Sequence, residues 1–183
     1  MTPSSNYKTP FSDPKKVAQA DKALFLFKEV ADALGLEWCL FAGTALGFFR
    51  DRKYIPWDND IDIALLKRDD DELQALSDAL YAVGFNVGRD CVNNDGTQNR
   101  HFFGGMEEDH SEEDGVLVDV FHTFTEEEMQ YLYAFDAVVY KDDLFPLPGP
   151  IQSYLMHTYG GSFMVPDKEK KAKYEPARAG DVA

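Results

Sequence analysis

The segment Asp60-Ile61-Asp62-Ile63-Ala64-Leu65-Leu66 limits what this chain can fold into more than any other. Ile61 to Leu66 reads as a buried strand, and burying an isolated carboxylate is very costly. Residues two apart on a strand project from the same face, so Asp60 and Asp62 emerge side by side. Two like charges held that close need a cation between them, or a proton on one of them. Val116-Leu117-Val118-Asp119-Val120-Phe121 repeats the pattern with a single acid. If the two strands are neighbours, three carboxylates converge on one point. Hard oxygen ligands of this kind suit Mg²⁺ or Mn²⁺, with positions left for water and a substrate phosphate.

Other readings of these acids are open. Asp58, Asp60 and Asp62 have the spacing that opens an EF-hand calcium loop, but that loop needs Gly at its sixth position, where Ile63 and an apolar run stand here. Asp60 and Asp62 could be ion-pair partners of Arg50 or Arg52, and Asp119 could cap a loop. Asp58, beside Trp57, reads as a turn residue or as a group that orients the ligands. Upstream, Gly43-Thr44 ends one element and begins a helix, a junction whose backbone N–H groups can cradle phosphate with a hydroxyl from Thr44. Arg50, Arg52 and Lys53 are the dense basic cluster before the acids, and Arg50 is the best placed of them to clamp a phosphate. Tyr54 and Trp57 could stack on a base or shield a quaternary ammonium, or could be core. Arg100 and His101 are further possible donor contacts.

Charge excludes some partners. The 183 residues carry 18 Lys and Arg against 33 Asp and Glu, a formal net charge of −15. Such a surface repels phosphate backbones and anionic lipid, so neither nonspecific nucleic-acid binding nor membrane insertion is expected. No apolar run approaches the roughly 18 to 20 residues of a membrane span, and the first residues lack a secretory hydrophobic segment. The two cysteines, Cys39 and Cys91, make neither a disulfide scaffold nor a zinc site. The expectation is an acidic cytoplasmic protein with one domain over 13–166, a flexible arm at 1–12 and a loose tail at 167–183.

Along the chain, Ser12 or Asp13 caps a helix with Pro14 at its first position, and Val17, Ala20, Leu24, Phe27, Ala31 and Leu34 mark its apolar face. Leu36 to Phe41 reads as a strand, 45–52 as a short helix, and 69–82 as an amphipathic helix. A strand starts at Phe85, followed by a polar loop over 89–99, a strand at 101–103 and an acidic surface loop at 107–114. Tyr131 to Tyr140 favours a strand. Pro146, Pro148 and Pro150 break the chain before a helix from Ile151 to His157, which Gly160 ends.

Taken together, Gly43-Thr44-Ala45-Leu46-Gly47, Arg50 and Ile55-Pro56-Trp57-Asp58-Asn59-Asp60-Ile61-Asp62-Ile63 resemble the LicD/fukutin-type transferases of the nucleotidyltransferase superfamily. Val118-Asp119-Val120-Phe121 is similar to the family's "VDIF" strand. Asp142 to Leu147, Tyr154-Leu155 and Tyr159-Gly160 match its closing pattern. The resemblance spans roughly residues 36–166. Asn59 stands where an acid is common, and His122 where Pro usually follows "VDIF". It implies an α+β fold, a nucleotidyltransferase-like mixed β-sheet flanked by helices in a single compact domain. It also implies transfer of a phosphorylated alcohol, such as phosphocholine or ribitol phosphate, from a CDP-linked donor to a glycan hydroxyl. Asp60, Asp62 and Asp119 would be the catalytic, metal-binding acids. Gly43, Thr44, Arg50, Trp57 and Asp58 would contact the substrate. Two other readings stand beside it: a true nucleotidyltransferase that moves NMP and releases pyrophosphate, and a non-catalytic nucleotide- or metal-binding module.

Overall fold

The computed structural model describes residues 8–67, 69–93, 95–105 and 115–169. Twelve elements follow in chain order: α1 Pro14–Ala33, β1 Trp38–Leu40, α2 Ala42–Asp51, β2 Asp60–Leu65, α3 Asp70–Ala82, β3 Asn86–Val92, β4 Gln98–Gly104, β5 Val116–Thr123, α4 Glu126–Met129, β6 Phe135–Tyr140, β7 Asp143–Pro148 and α5 Ile151–Tyr159. Five strands form one mixed sheet in the order β1-β2-β5-β4-β3, and β6-β7 form a separate hairpin. The architecture is the expected α+β: a mixed sheet flanked by helices in a single compact domain. No helix among the described residues is long and apolar enough to cross a membrane.

The helices begin where local chemistry directs. Asp13 caps α1 by accepting the Lys15 N–H, with Pro14 in the first turn. Asp69 caps α3 by accepting the Glu72 N–H, and three acids in the first turn suit the positive helix end. On α1 the buried stripe is Ala20, Ala23, Leu24, Phe27 and Ala31; Leu34, expected on that stripe, is its exposed end. Phe27 meets Trp38 edge-on, and Arg100 donates to Ser77 of α3, which puts α1 and α3 on the sheet face that carries Ile61, Ile63 and Val120. These three side chains are fully buried.

The parallel pairing of β2 with β5 positions the site. Its register sets Asp60 against Leu117, Asp62 against Asp119 and Ala64 against Phe121, so both strand acids of β2 share a face with Asp119. On the other side of β5, antiparallel β4 sets His101 against Asp119 and Asn99 against Phe121.

Two expectations are corrected. The polar stretch over 89–99 is largely hairpin: β3 runs on through Arg89 to Val92, and past an irregularity between Val87 and Asp90 its residues Asp90, Cys91 and Val92 pair with β4. An edge strand facing water on one side keeps its polar residues, which hides it from apolar patterning. Pro146 and Pro148 do not break the chain but lie within β7, paired with Ala137 and Phe135. A two-stranded ribbon has outer edges where a missing N–H costs no ladder bond. The acidic stretch at 107–114 lies outside the described residues.

Candidate active site

The site is built around the junction of β1, α2 and β2. Phe41 precedes α2 without a side-chain cap, so the helix's first N–H groups need other acceptors. Ala42, at a positive φ of 38°, donates to the buried Tyr154 hydroxyl at 3.0 Å. Gly43 donates to Asp62 Oδ2 at 3.1 Å. In return the Asp62 N–H donates to Thr44 Oγ1 at 2.9 Å. One carboxylate is thus fixed at the positive end of a helix.

Asp58 arrives from the loop before β2. Its N–H bonds the Ile55 carbonyl at 3.0 Å, and its own carbonyl accepts the N–H of Phe11 at 2.7 Å, so residues of the expected arm are packed against it. Phe11 is buried on Tyr54, with ring centres 4.6 Å apart. A Cβ at position 43 would lie 2.6 Å from Asp58 Oδ2 and 3.4 Å from Asp62 Oδ2, so only glycine leaves both carboxylates their place. Asp58, Asp60 and Asp62 each bring one oxygen to within 4.8 Å of the others.

The electrostatics of this cluster are strained. Burial, then the charges of Asp60, Asp58 and Asp119, push the Asp62 carboxyl well above the ordinary carboxylate range, against a smaller opposing pull from the Gly43 N–H. Burial also pushes Asp119 up to about 7; the Asn99 hydrogen bond opposes this and the Asp60 charge adds to it. A divalent cation would relieve the repulsion, and an all-oxygen donor set with a close backbone cradle fits Mg²⁺ or Mn²⁺. Asp58, Asp60 and Asp62 are the residues that could hold it.

The expected site residues are distributed unevenly. Asp60, Asp62 and Gly43 meet, and Asp58 joins them as a member of the cluster. Asp119 shares their face but stands outside the tight group: Asn99 Nδ2 donates to its Oδ1, and His101 Nε2 lies 3.7 Å from its Oδ2. Thr44 is buried with its oxygen turned to the β2 backbone, and the Gly43 N–H is taken by Asp62, so the turn holds a carboxylate where a phosphate cradle was expected. Arg50 sits in the last turn of α2, at the opposite end from Gly43. Its guanidinium is bound to Asp51 at 2.7 Å and the Phe163 carbonyl at 3.4 Å. Trp57, which precedes Asp58 in the loop, is 36% exposed, whereas Tyr54 is core, packed on Phe48 at 5.1 Å.

His101 faces the site between Asp119 and Cys91, whose sulfur is 3.5 Å from Nε2. Burial and the Arg89 charge lower its pKa, partly offset by Asp60, which favours the neutral ring. Arg100 does not reach the site. It projects from the opposite face, forked onto Asp90 at 2.5 and 2.9 Å, and lines a cavity of about 300 Å³ with His122 and Asp70. Sequence reasoning missed Asn99 and Tyr154. Asn99 was hidden in a stretch read as loop. Tyr154 stood out only as part of the resemblance's closing pattern, which gave it no role.

A family model described as LicD/FKTN/FKRP, nucleotidyltransferase domain, matches residues 35–149, well over half of the chain. No curated protein matches the chain.

Proposed function

Because the chain belongs to the LicD/FKTN/FKRP family, a transferase family, we propose that it is a metal-dependent transferase moving a phosphorylated alcohol from a CDP-linked donor to a glycan hydroxyl. The observation that carries this reading is the convergence of Asp58, Asp60 and Asp62 on one point, with Gly43 pressed against them. Asp60 and Asp62, with Asp58, would hold Mg²⁺ or Mn²⁺. Bound there, the cation supplies Lewis-acid neutralisation of the donor's phosphate charge. Gly43 keeps Asp62 in place by its backbone N–H, and Thr44 fixes the height of β2 beneath it.

Asp119 is the candidate base. Oδ1 is occupied by Asn99, while Oδ2 has His101 at 3.7 Å, beyond hydrogen-bond reach, and can accept the proton of an acceptor hydroxyl. The deprotonated acceptor oxygen would then attack the phosphorus that bears the alcohol, forming the new P–O bond as the bond to the leaving CMP breaks. Trp57, next to Asp58 in the chain and 36% exposed, is the proposed contact for the donor.

The test is product analysis with Mg²⁺ and a CDP-linked alcohol such as CDP-choline: release of CMP supports the reading. Pyrophosphate released from CTP would favour NMP transfer instead. Asp62→Asn should abolish turnover while the protein stays folded, and near-normal transfer by that variant would remove the assignment. A flat thermal response to Mg²⁺ or Mn²⁺ with CDP-choline, CTP and ATP would leave a binding module without this chemistry.

A further inference from the structure

The face that carries the acids extends across the sheet beyond them. In one row Asp60 of β2 pairs with Leu117 of β5, and Leu117 with Phe103 of β4; in the next, Asp62 pairs with Asp119, and Asp119 with His101. Phe103 and His101 therefore share the face of the acids, two strands or about 10 Å away from Asp60 and Asp62. The other face of these strands is closed, with Phe102, Val118 and Val120 fully buried. By contrast Leu117, His101 and Phe103 are only half-buried, and Gly88 on β3 is exposed. A Cβ at Gly88 would lie 3.0 Å from Phe103 Cε2 and 3.0 Å from His101 Cβ, so the Phe103 ring leans over β3 into the space a side chain there would take. Glycine weakens a strand interior and marks a place of close approach. Here it makes room for an aromatic ring that the core does not enclose.

In phosphoryl transfer the attacking oxygen and the leaving group lie on opposite sides of phosphorus. With the donor phosphate on the acids of β2 and its nucleotide toward Trp57 and Asp58, the attacking hydroxyl enters from the side of β5 and β4. We propose that the half-open face of β4 is the acceptor subsite: Phe103, leaning over Gly88, stacks on the apolar C–H face of one sugar ring of the glycan, and a hydroxyl of that sugar reaches Asp119 past His101. The subsite rests on the reading of the protein as a metal-dependent transferase. His101 Nε2 is 3.7 Å from Asp119 Oδ2, so the histidine bridges the ring and the acid. An apolar surface with a few polar groups at its margin is the usual composition of a small-ligand site. A nucleobase also has a face that stacks on an aromatic ring, and the experiment separates the two.

The experiment is saturation-transfer-difference NMR on the protein in Mg²⁺, with the methyl glycosides of glucose, galactose and N-acetylgalactosamine and, separately, with CMP. Melting curves confirm folding. At least one glycoside should bind wild type, and Phe103→Leu, which keeps apolar volume but removes the ring face, should weaken that binding about tenfold. Phe103→Tyr, which restores a ring face, should stay within about twofold of wild type. CMP should bind all three proteins within about twofold of one another, a separation that a merely structural role for Phe103 would not produce. No glycoside binding by wild type, or glycoside binding that survives in a folded Phe103→Leu, overturns the subsite. Loss of CMP binding in a folded Phe103→Leu assigns the ring to the donor's base and overturns it as well. Phe103→Met gives the same readout if the leucine variant does not fold. Failure of wild type to bind CMP would remove the transferase reading itself, whereas a glycoside result alone touches only the subsite.

Discussion

Gly43 and Asp62 hold each other: the Gly43 N–H donates to Asp62 Oδ2 at 3.1 Å, and the carboxylate in turn occupies the space a side chain at position 43 would need. Both effects trace to α2 starting against β2, where a helix end supplies a donor and glycine supplies room.

Gly43→Ala follows directly. Its backbone is helical, so alanine should improve the helix by about 0.5–1 kcal/mol. The new Cβ must displace Asp58 Oδ2, the far end of a side chain, from 2.6 Å. The expected result is unchanged or higher thermal stability together with a marked loss of Mg²⁺ binding and activity. Calorimetry of folding and of metal binding on one preparation separates the two effects; a variant that keeps full metal affinity contradicts the cradle.

The pH dependence of stability has a definite sign. Asp62 and Asp119 both have folded-state pKa values raised above their ordinary 3.8, Asp119 to about 7. The folded protein therefore binds more protons than the unfolded chain above about pH 4, and the stability these protons contribute is lost as pH rises through 7. In EDTA the urea midpoint should fall across this window, each carboxyl contributing about 1.4 kcal/mol per pH unit while it holds its extra proton. Saturating Mg²⁺ should remove the part of the fall due to Asp62, where the cation replaces the proton as the neutralising partner, and leave most of the part due to Asp119, whose shift comes first from burial. A midpoint that rises with pH in EDTA would refute this account.

Tyr154 ties α5 to the start of α2 through the Ala42 N–H. Tyr154→Phe keeps the ring but leaves that donor unpaired, which should cost about 1–3 kcal/mol. Because Ala42 adjoins Gly43, metal affinity should weaken as well. Chemical denaturation together with a Mn²⁺ titration checks both expectations; if only stability falls, the junction tolerates the lost anchor.

Arg50→Gln probes a residue that sequence reasoning assigned to phosphate. Its guanidinium is engaged by Asp51 and the Phe163 carbonyl at the far end of α2. The variant should loosen the packing of Phe163 on Phe49 and lower thermal stability modestly, by about 1 kcal/mol. KM for the donor should not change. A large KM increase at normal stability would restore the phosphate role.

What the sequence disclosed about this protein depended on how local each signal was. Asp60 and Asp62 stood out because period-two geometry and the cost of burial act within six residues; that Asp119 shares their face hung on the two apolar strands being neighbours, which the β2–β5 pairing makes them. Asp58 was undervalued, because its place in the cluster depends on the loop closed by Ile55 and on Phe11 from far upstream. Arg50 shows the converse: it is close to the acids in sequence, but a ten-residue helix separates it from the Gly43 end of α2. Asn99 was out of reach because β3 and β4 form a half-exposed hairpin, whose polar surface gives no alternating signal.

The register of β2 has a further consequence. Sliding β2 by one residue against β5 would swing Asp60 and Asp62 under α1 and α3 and set Ile61 and Ile63 among Gly43, Asp119 and the other polar groups of the site. The acids that repel one another in the finished sheet thus also guard it against its nearest misalignment, so chemistry and correct assembly are enforced by the same two side chains.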